Sequence, residues 1–258
     1  MYNKKITYQG TVKMRNVKGV SMKTRNISGL LILITSLFLS GCGGGGSDGS
    51  GAGDGNGTPT DTSIDFTIFP PNFFTNYSAS ADLTGTFTGS ILGDIELTGS
   101  VTEVLQAQTT FLGSAAIPYL TTTTFTSTAG INGTAVLTSY YNMEENNRRF
   151  LGVSGDVNIV SATTTAMPQT ARIGESGNIG TYVADDGMTS VLTWSLEDGF
   201  NGNAKLIISN QTNTASGAPD NTVTTTYLIQ ADGTRLSVEL ITFNDTVNIT
   251  STLSGDYN

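Results

Sequence analysis

The chain of 258 residues contains no histidine and a single cysteine. The first absence excludes Ser-His-Asp and Cys-His nucleophilic sites, and the imidazole ligands of common zinc centres. The second leaves no intrachain disulfide, so the fold must rest on a core. Positive charge is scarce beyond the N-terminal region. Seven of the 12 basic residues precede residue 42, whereas all 21 acidic ones follow it. Only Arg148, Arg149, Arg172, Lys205 and Arg235 remain after that point, for a formal charge of −16. Such a surface repels phosphate backbones, which speaks against nucleic acid as a partner. Long apolar runs are missing too. The longest, Leu30 to Leu39, spans ten residues including Thr35 and Ser36, and a transmembrane helix needs about 20.

That run ends three residues before the only cysteine. Met22-Lys23-Thr24-Arg25 supplies a positive start, residues 30–39 an apolar middle, and Leu39-Ser40-Gly41-Cys42 a small-residue cleavage site. These are the three parts of an export signal. The last four residues resemble the lipobox of bacterial lipoproteins, and the resemblance covers residues 22–42 only. It implies that residues 22–41 are removed and that the Cys42 sulfur is acylated, which accounts for a lone thiol in an exported chain. Gly43, rather than aspartate, implies sorting to the outer membrane within that class. Residues 1–21 carry five basic residues, no acidic ones and no apolar run, and read as an extension upstream of the start at Met22.

Residues 42–62 are the acylated cysteine and a tether. The segment from Gly43 to Thr60 is mostly Gly, Ser, Asp and Thr, with nothing to bury and maximal backbone entropy to lose. No strand precedes these glycines and no Lys-Ser/Thr follows them, so they do not form a phosphate-binding loop.

From residue 63 to 258 the pattern is that of one β domain. Ile64, Phe66 and Ile68 alternate with polar residues, as do Leu192, Trp194 and Leu196, and Leu236, Val238 and Leu240. Each set would lie on one face of a strand, opposite Arg235, Ser237 and Glu239 in the last case. The 38 threonines after Cys42 favour a pleated chain, because β-branching restricts them in helices. Asp232-Gly233, Asp185-Asp186-Gly187 and Glu197-Asp198-Gly199 punctuate the runs as tight turns. Leu83-Thr84-Gly85 and Leu97-Thr98-Gly99 suggest a hairpin repeat whose glycines let strands bend. The expected fold is all-β, an antiparallel meander of about a dozen strands in a closed or nearly closed barrel, with a two-sheet sandwich as the alternative.

Chemistry is sparsely marked. Adjacent carboxylates at Glu144-Glu145, Asp185-Asp186 and Glu197-Asp198 fall at expected turns and point to opposite faces, as hairpin tips would. Asp198, Asn201 and Asn203 form an oxygen-rich loop that could hold a calcium ion, although the spacing departs from the EF-hand pattern. Arg148 and Arg149 could fork around a carboxylate or sulfate. Phe73 and Phe74, in Phe69-Pro70-Pro71-Asn72-Phe73-Phe74, form either a contact patch or a segment packed across the end of the barrel. The expected function is a lipid-anchored, non-enzymatic binding module of the cell envelope, without a cofactor, recognising a glycan, small ligand or envelope protein. A carboxylate-dependent glycan hydrolase and a purely structural lipoprotein are the alternatives.

Overall fold

The computed structural model describes residues 57–89, 93–155, 158–246 and 248–258. The expected signal, Cys42, the tether up to residue 56 and the extension 1–21 lie outside the described residues. A short β1 (Phe66–Thr67) is followed by β2 (Ser78–Gly89), β3 (Gly93–Leu105), β4 (Thr109–Phe111), β5 (Ser114–Ser127) and β6 (Asn132–Asn142). Next come β7 (Phe150–Ser154), β8 (Ile159–Thr164), β9 (Thr170–Ala171), β10 (Ser176–Ala184) and β11 (Thr189–Asp198). The last four are β12 (Ala204–Asn213), β13 (Pro219–Ile229), β14 (Arg235–Asn244) and β15 (Ile249–Asp256).

Twelve of these strands make a closed antiparallel barrel, with β4 as an additional strand beside β5. Consecutive strands of the barrel pair antiparallel, with β8 joining β10 past β9 and β3 joining β5 past β4, and β15 joins β2 to complete the ring. The Leu-Thr-Gly repeat is one hairpin, with Leu83 opposite Gly99 and Gly85 opposite Leu97. Both glycines are obligatory for packing. A Cβ at Gly85 would strike the carbonyl of Thr252, and one at Gly99 the carbonyl of Thr124. Strands can approach this closely only where the side chain is absent.

The alternation of period two sorts the side chains. On β12, Ala204, Leu206, Ile208, Asn210 and Thr212 are buried, while Lys205 and Gln211 are exposed. On β2, Ala81, Leu83 and Phe87 point inward, and Asp82, Thr84, Thr86 and Thr88 outward to solvent. Inward residues from the successive strands join one continuous hydrophobic cluster. The interior is graded. Asn210, Thr212, Asn221, Asn244 and Ser251 are buried towards one end, while aromatic rings dominate the other.

One face assignment is corrected. Leu236 does not share the inner face with Val238 and Leu240, and Arg235 does not face out. The register shifts so that Leu228 faces Ser237 and Ile229 faces Arg235, leaving Leu236 as an unpaired extra residue. A bulge of this kind reverses the in-out alternation on its far side. Arg235 is thereby turned into the core.

Candidate functional site

The aromatic end of the barrel is closed by the chain's own N-terminal segment. β1 pairs with β9, and Thr67 donates its N–H to the carbonyl of Ala231 in the β13–β14 turn. The Pro70-Pro71 turn, held by a Phe73 N–H to Pro70 carbonyl bond, carries Phe73 across the opening. Phe73 is 2% exposed and stacks on Tyr119 with ring centroids 4.4 Å apart. Phe69 and Phe74 meet it edge-on or tilted. Of the two alternatives for this segment, packing across the barrel end is the one its burial matches.

Within this plug lies a buried ion pair. Arg235 Nη1 donates to Glu103 Oε2 at 2.7 Å, linking β14 to β3, and Tyr227 donates its hydroxyl to Glu103 Oε1 at 3.3 Å. The guanidinium carbon of Arg235 sits 3.9 Å from the Tyr227 ring centroid and 5.0 Å from that of Phe73. Burial opposes the charge on Arg235, but Glu103 and the surrounding phenols hold its pKa above the ordinary guanidinium range. Burial, and then the Glu103 charge, push the phenols of Tyr119, Tyr227 and Tyr257 up. The pair is enclosed by rings on several sides, an arrangement suited to fixing the plug.

Arg148 is buried, with its guanidinium 4.2 Å from the Phe74 ring centroid and Nη1 donating to the Asn142 carbonyl. Burial pulls its pKa down. Arg149 turns elsewhere, donating to the Thr164 carbonyl at 3.0 Å and to Asn147 Oδ1 at 3.3 Å. The two guanidinium groups thus serve different partners instead of converging on one. Asp198, Asn201 and Asn203 do come together, around residues 58–60. Asp198 accepts from the N–H groups of Phe200 and Thr60, Asn201 Oδ1 from that of Thr58, and the Asn203 carbonyl from the Thr60 hydroxyl. Backbone donation from Phe200, followed by Thr60, draws the Asp198 pKa down. This loop is a clasp for residues 58–60, and no cluster of three or more His, Cys, Asp or Glu occurs among the described residues.

A different feature was not singled out from the sequence. Between Glu103 and Glu144 the chain carries no charged residue. That stretch forms β4, β5 and β6, so one side of an acidic barrel is free of charge. Its outer face bears exposed Thr124, Thr126 and Thr134, and the Ser100 and Thr124 hydroxyls lie 2.9 Å apart across the strand boundary. Towards the plugged end the same face becomes apolar. Phe111 of β4 stacks on Tyr140 of β6 at 4.1 Å with an 11° interplanar angle, and Pro118 on the strand between them is buried.

The β4–β5 hairpin runs past the last β5–β6 pair, Ala116 with Asn142, and ends in Leu112-Gly113. Both tip residues have positive φ, 51° and 82°, the backbone of a two-residue turn in which Asn-Gly is favoured. A leucine held there costs roughly 1–2 kcal/mol. Leu112 is nonetheless 70% exposed, more than any other exposed large hydrophobic residue described. A strained, bulky apolar residue facing water serves neither local conformation nor the core, and such positions point to contact with something else. The run without charge was available in the sequence as a signal. The position of Leu112 at a tip was not.

No protein-family model matches the chain, and no curated protein or solved structure matches it.

Proposed function

We propose that the protein is a lipid-anchored, non-enzymatic binding module of the cell envelope. It is held through Cys42 and presents the outer face of β5 and β6 to a neutral partner, a glycan or an uncharged protein surface. The observation that carries this reading is the absence of charge between Glu103 and Glu144 in a chain of formal charge −16 after residue 42. An acidic chain repels anionic surfaces, and residues 104–143 are its longest stretch without a charge, so a neutral partner meets no ionised group to desolvate there. The exposed threonines offer hydroxyl donors and acceptors in rows spaced roughly 4.8 Å across strands and roughly 6.7 Å along them. The tether attaches at the clasp on the opposite side of the ring, between β11 and β12, which leaves this face unobstructed.

Charge insertion tests it. Thr124→Glu and Thr134→Glu put a carboxylate in the middle of the face, while Gln211→Glu puts one on β12 across the barrel. Purified mature chain is applied to neutral oligosaccharides and to envelopes from cells lacking the protein. Retention should fall with the first two variants and persist with the third. Equal retention by all three, or none by the unmodified chain, would refute the reading. Cys42→Ala should in parallel move the protein from membrane to soluble fractions, because several acyl chains at about 0.8 kcal/mol per buried CH₂ make attachment durable.

A further inference from the structure

We infer that the β4–β5 finger is a lipid-seating foot, whose tip at Leu112 enters the interfacial layer of a net-neutral bilayer beneath the barrel. The inference rests on the reading of Cys42 as membrane-attached and goes beyond it, since a long tether alone would leave the barrel unoriented. Three observations carry it. The first is which end of the barrel bears the tether. Thr58 and Thr60 are clasped at the 198–203 turn, and that turn lies at the plugged end with Arg235, the 230–234 turn and the start of β5. The chain outside the described residues therefore leaves from the end at which the finger projects.

The second is the finger's reach and chemistry. Leu112 lies beyond the final β5–β6 pair at Ala116, and the tip stands about 10 Å past that pair at the usual rise per strand residue. Behind it, Phe111 and Tyr140 form a stacked aromatic pair, with the Tyr140 hydroxyl 2.8 Å from Ser154 Oγ. An aliphatic tip backed by Phe and Tyr is the residue order of a water-to-lipid boundary, where amphipathic rings sit at headgroup level. Exposed Met143 adds apolar surface at the same end of β6.

The third is charge. From Gln106 to Ala116 the finger has no ionised group, so no charge on it resists desolvation. Glu144 and Glu145 follow Met143 directly and oppose an anionic headgroup layer, which selects a net-neutral one. One apolar tip binds lipid weakly by itself. Held close by an anchor it meets the bilayer at high effective concentration, and the weak contact becomes a stable orientation.

The test couples the mature chain through the Cys42 thiol to a maleimide-bearing lipid in phosphatidylcholine vesicles. Leu112→Trp and Val136→Trp chains are compared in vesicles with and without brominated acyl chains. Val136 is an exposed residue of the same uncharged face, opposite Thr122 and about 30 Å from the tip. The indole introduced by Leu112→Trp should lose most of its emission to bromine. The indole introduced by Val136→Trp, and the buried native Trp194, should keep theirs. Adding phosphatidylglycerol should weaken the quenching. The unmodified chain gives a second readout, because chymotrypsin cleavage after Leu112 should slow on coupling to vesicles. An unquenched indole in the Leu112→Trp chain, equal quenching in both variants, or unchanged cleavage overturns the inference. Chemical coupling replaces acylation, so these results do not depend on whether Cys42 is acylated in the cell. The mass of the lipoprotein purified from cells reports that separately.

Discussion

Removing Glu103 alone should destabilise the barrel more than removing the whole Glu103–Arg235 pair. The side chains are only 7% and 5% exposed, so each ion has lost nearly all its water and relies on the other. In Glu103→Leu the guanidinium stays buried without its counter-ion. The Tyr227 face at 3.9 Å still attracts it, an interaction of about 2 kcal/mol when desolvated. Leaving one buried ion unpaired costs about 3–5 kcal/mol, and the ring contact places this variant near the lower figure. In Arg235→Met the carboxylate keeps neutral phenol partners, the Tyr227 hydroxyl at 3.3 Å and that of Tyr77, in place of a cation at 2.7 Å, so the loss should lie near the upper figure. In the Glu103→Leu, Arg235→Met double variant no charge remains to be solvated, and stability should return to within about 1 kcal/mol of the parent or exceed it. Urea unfolding of the mature chain, followed by Trp194, measures all four. Trp194 is 8% exposed and should report loss of the core. If each single change cost less than about 1 kcal/mol, or if the two costs simply added in the double variant, the pair would not be a coupled, desolvated lock.

Val238 is 3% exposed, so Val238→Asp should lower the urea midpoint far more than Glu239→Asp, its partly exposed neighbour; equal midpoints would contradict the inward and outward assignment. Gly233→Val should cost at least about 1–3 kcal/mol, since φ is 86° and a Cβ would meet the carbonyl of Phe69; an unchanged midpoint would show that the plug does not press on this turn. Asp198→Asn should destabilise at neutral pH. Its carboxylate is held below its ordinary pKa of 3.8 by donation from Phe200 and Thr60, so its contribution is present above that value and lost as pH falls through the lower folded one. Parent and variant should therefore converge in acid, and a difference that persists there would assign the clasp to something other than the ionised carboxylate.

Much of the fold was legible locally. The alternation of Leu192, Trp194 and Leu196 holds, and all three are buried. The Asp232-Gly233 turn forms as expected, with Asp232 Oδ1 accepting from the Thr234 N–H at 2.9 Å and Gly233 in the left-handed region. Lys205 is exposed, as a strand lysine beside Ala204 and Leu206 should be. The site was less legible. Arg148 and Arg149 are adjacent in sequence, but one is drawn under Phe74 and the other to the Thr164 carbonyl. Asp198 and its neighbours gather oxygen atoms that Thr58 and Thr60 occupy from well over a hundred residues away in the chain.

What the sequence by itself determined is the class: side chains that alternate between two faces can be buried only as strands, and Asp-Gly pairs mark where those strands must reverse. Closure was decided only in three dimensions, because pairing β3 with β5 past the β4 finger and β15 with β2 depends on the accumulated twist of the whole sheet. The same holds for the side on which a polar residue ends. Arg235 follows an outward alternation in sequence, and one unpaired residue at Leu236 turns it inward to a carboxylate 132 positions away. No local pattern encodes a partner at that distance. The pair forms because the ring of strands brings β3 and β14 to the same end, where the two buried charges, with the hydroxyl and ring of Tyr227, replace the water each has lost.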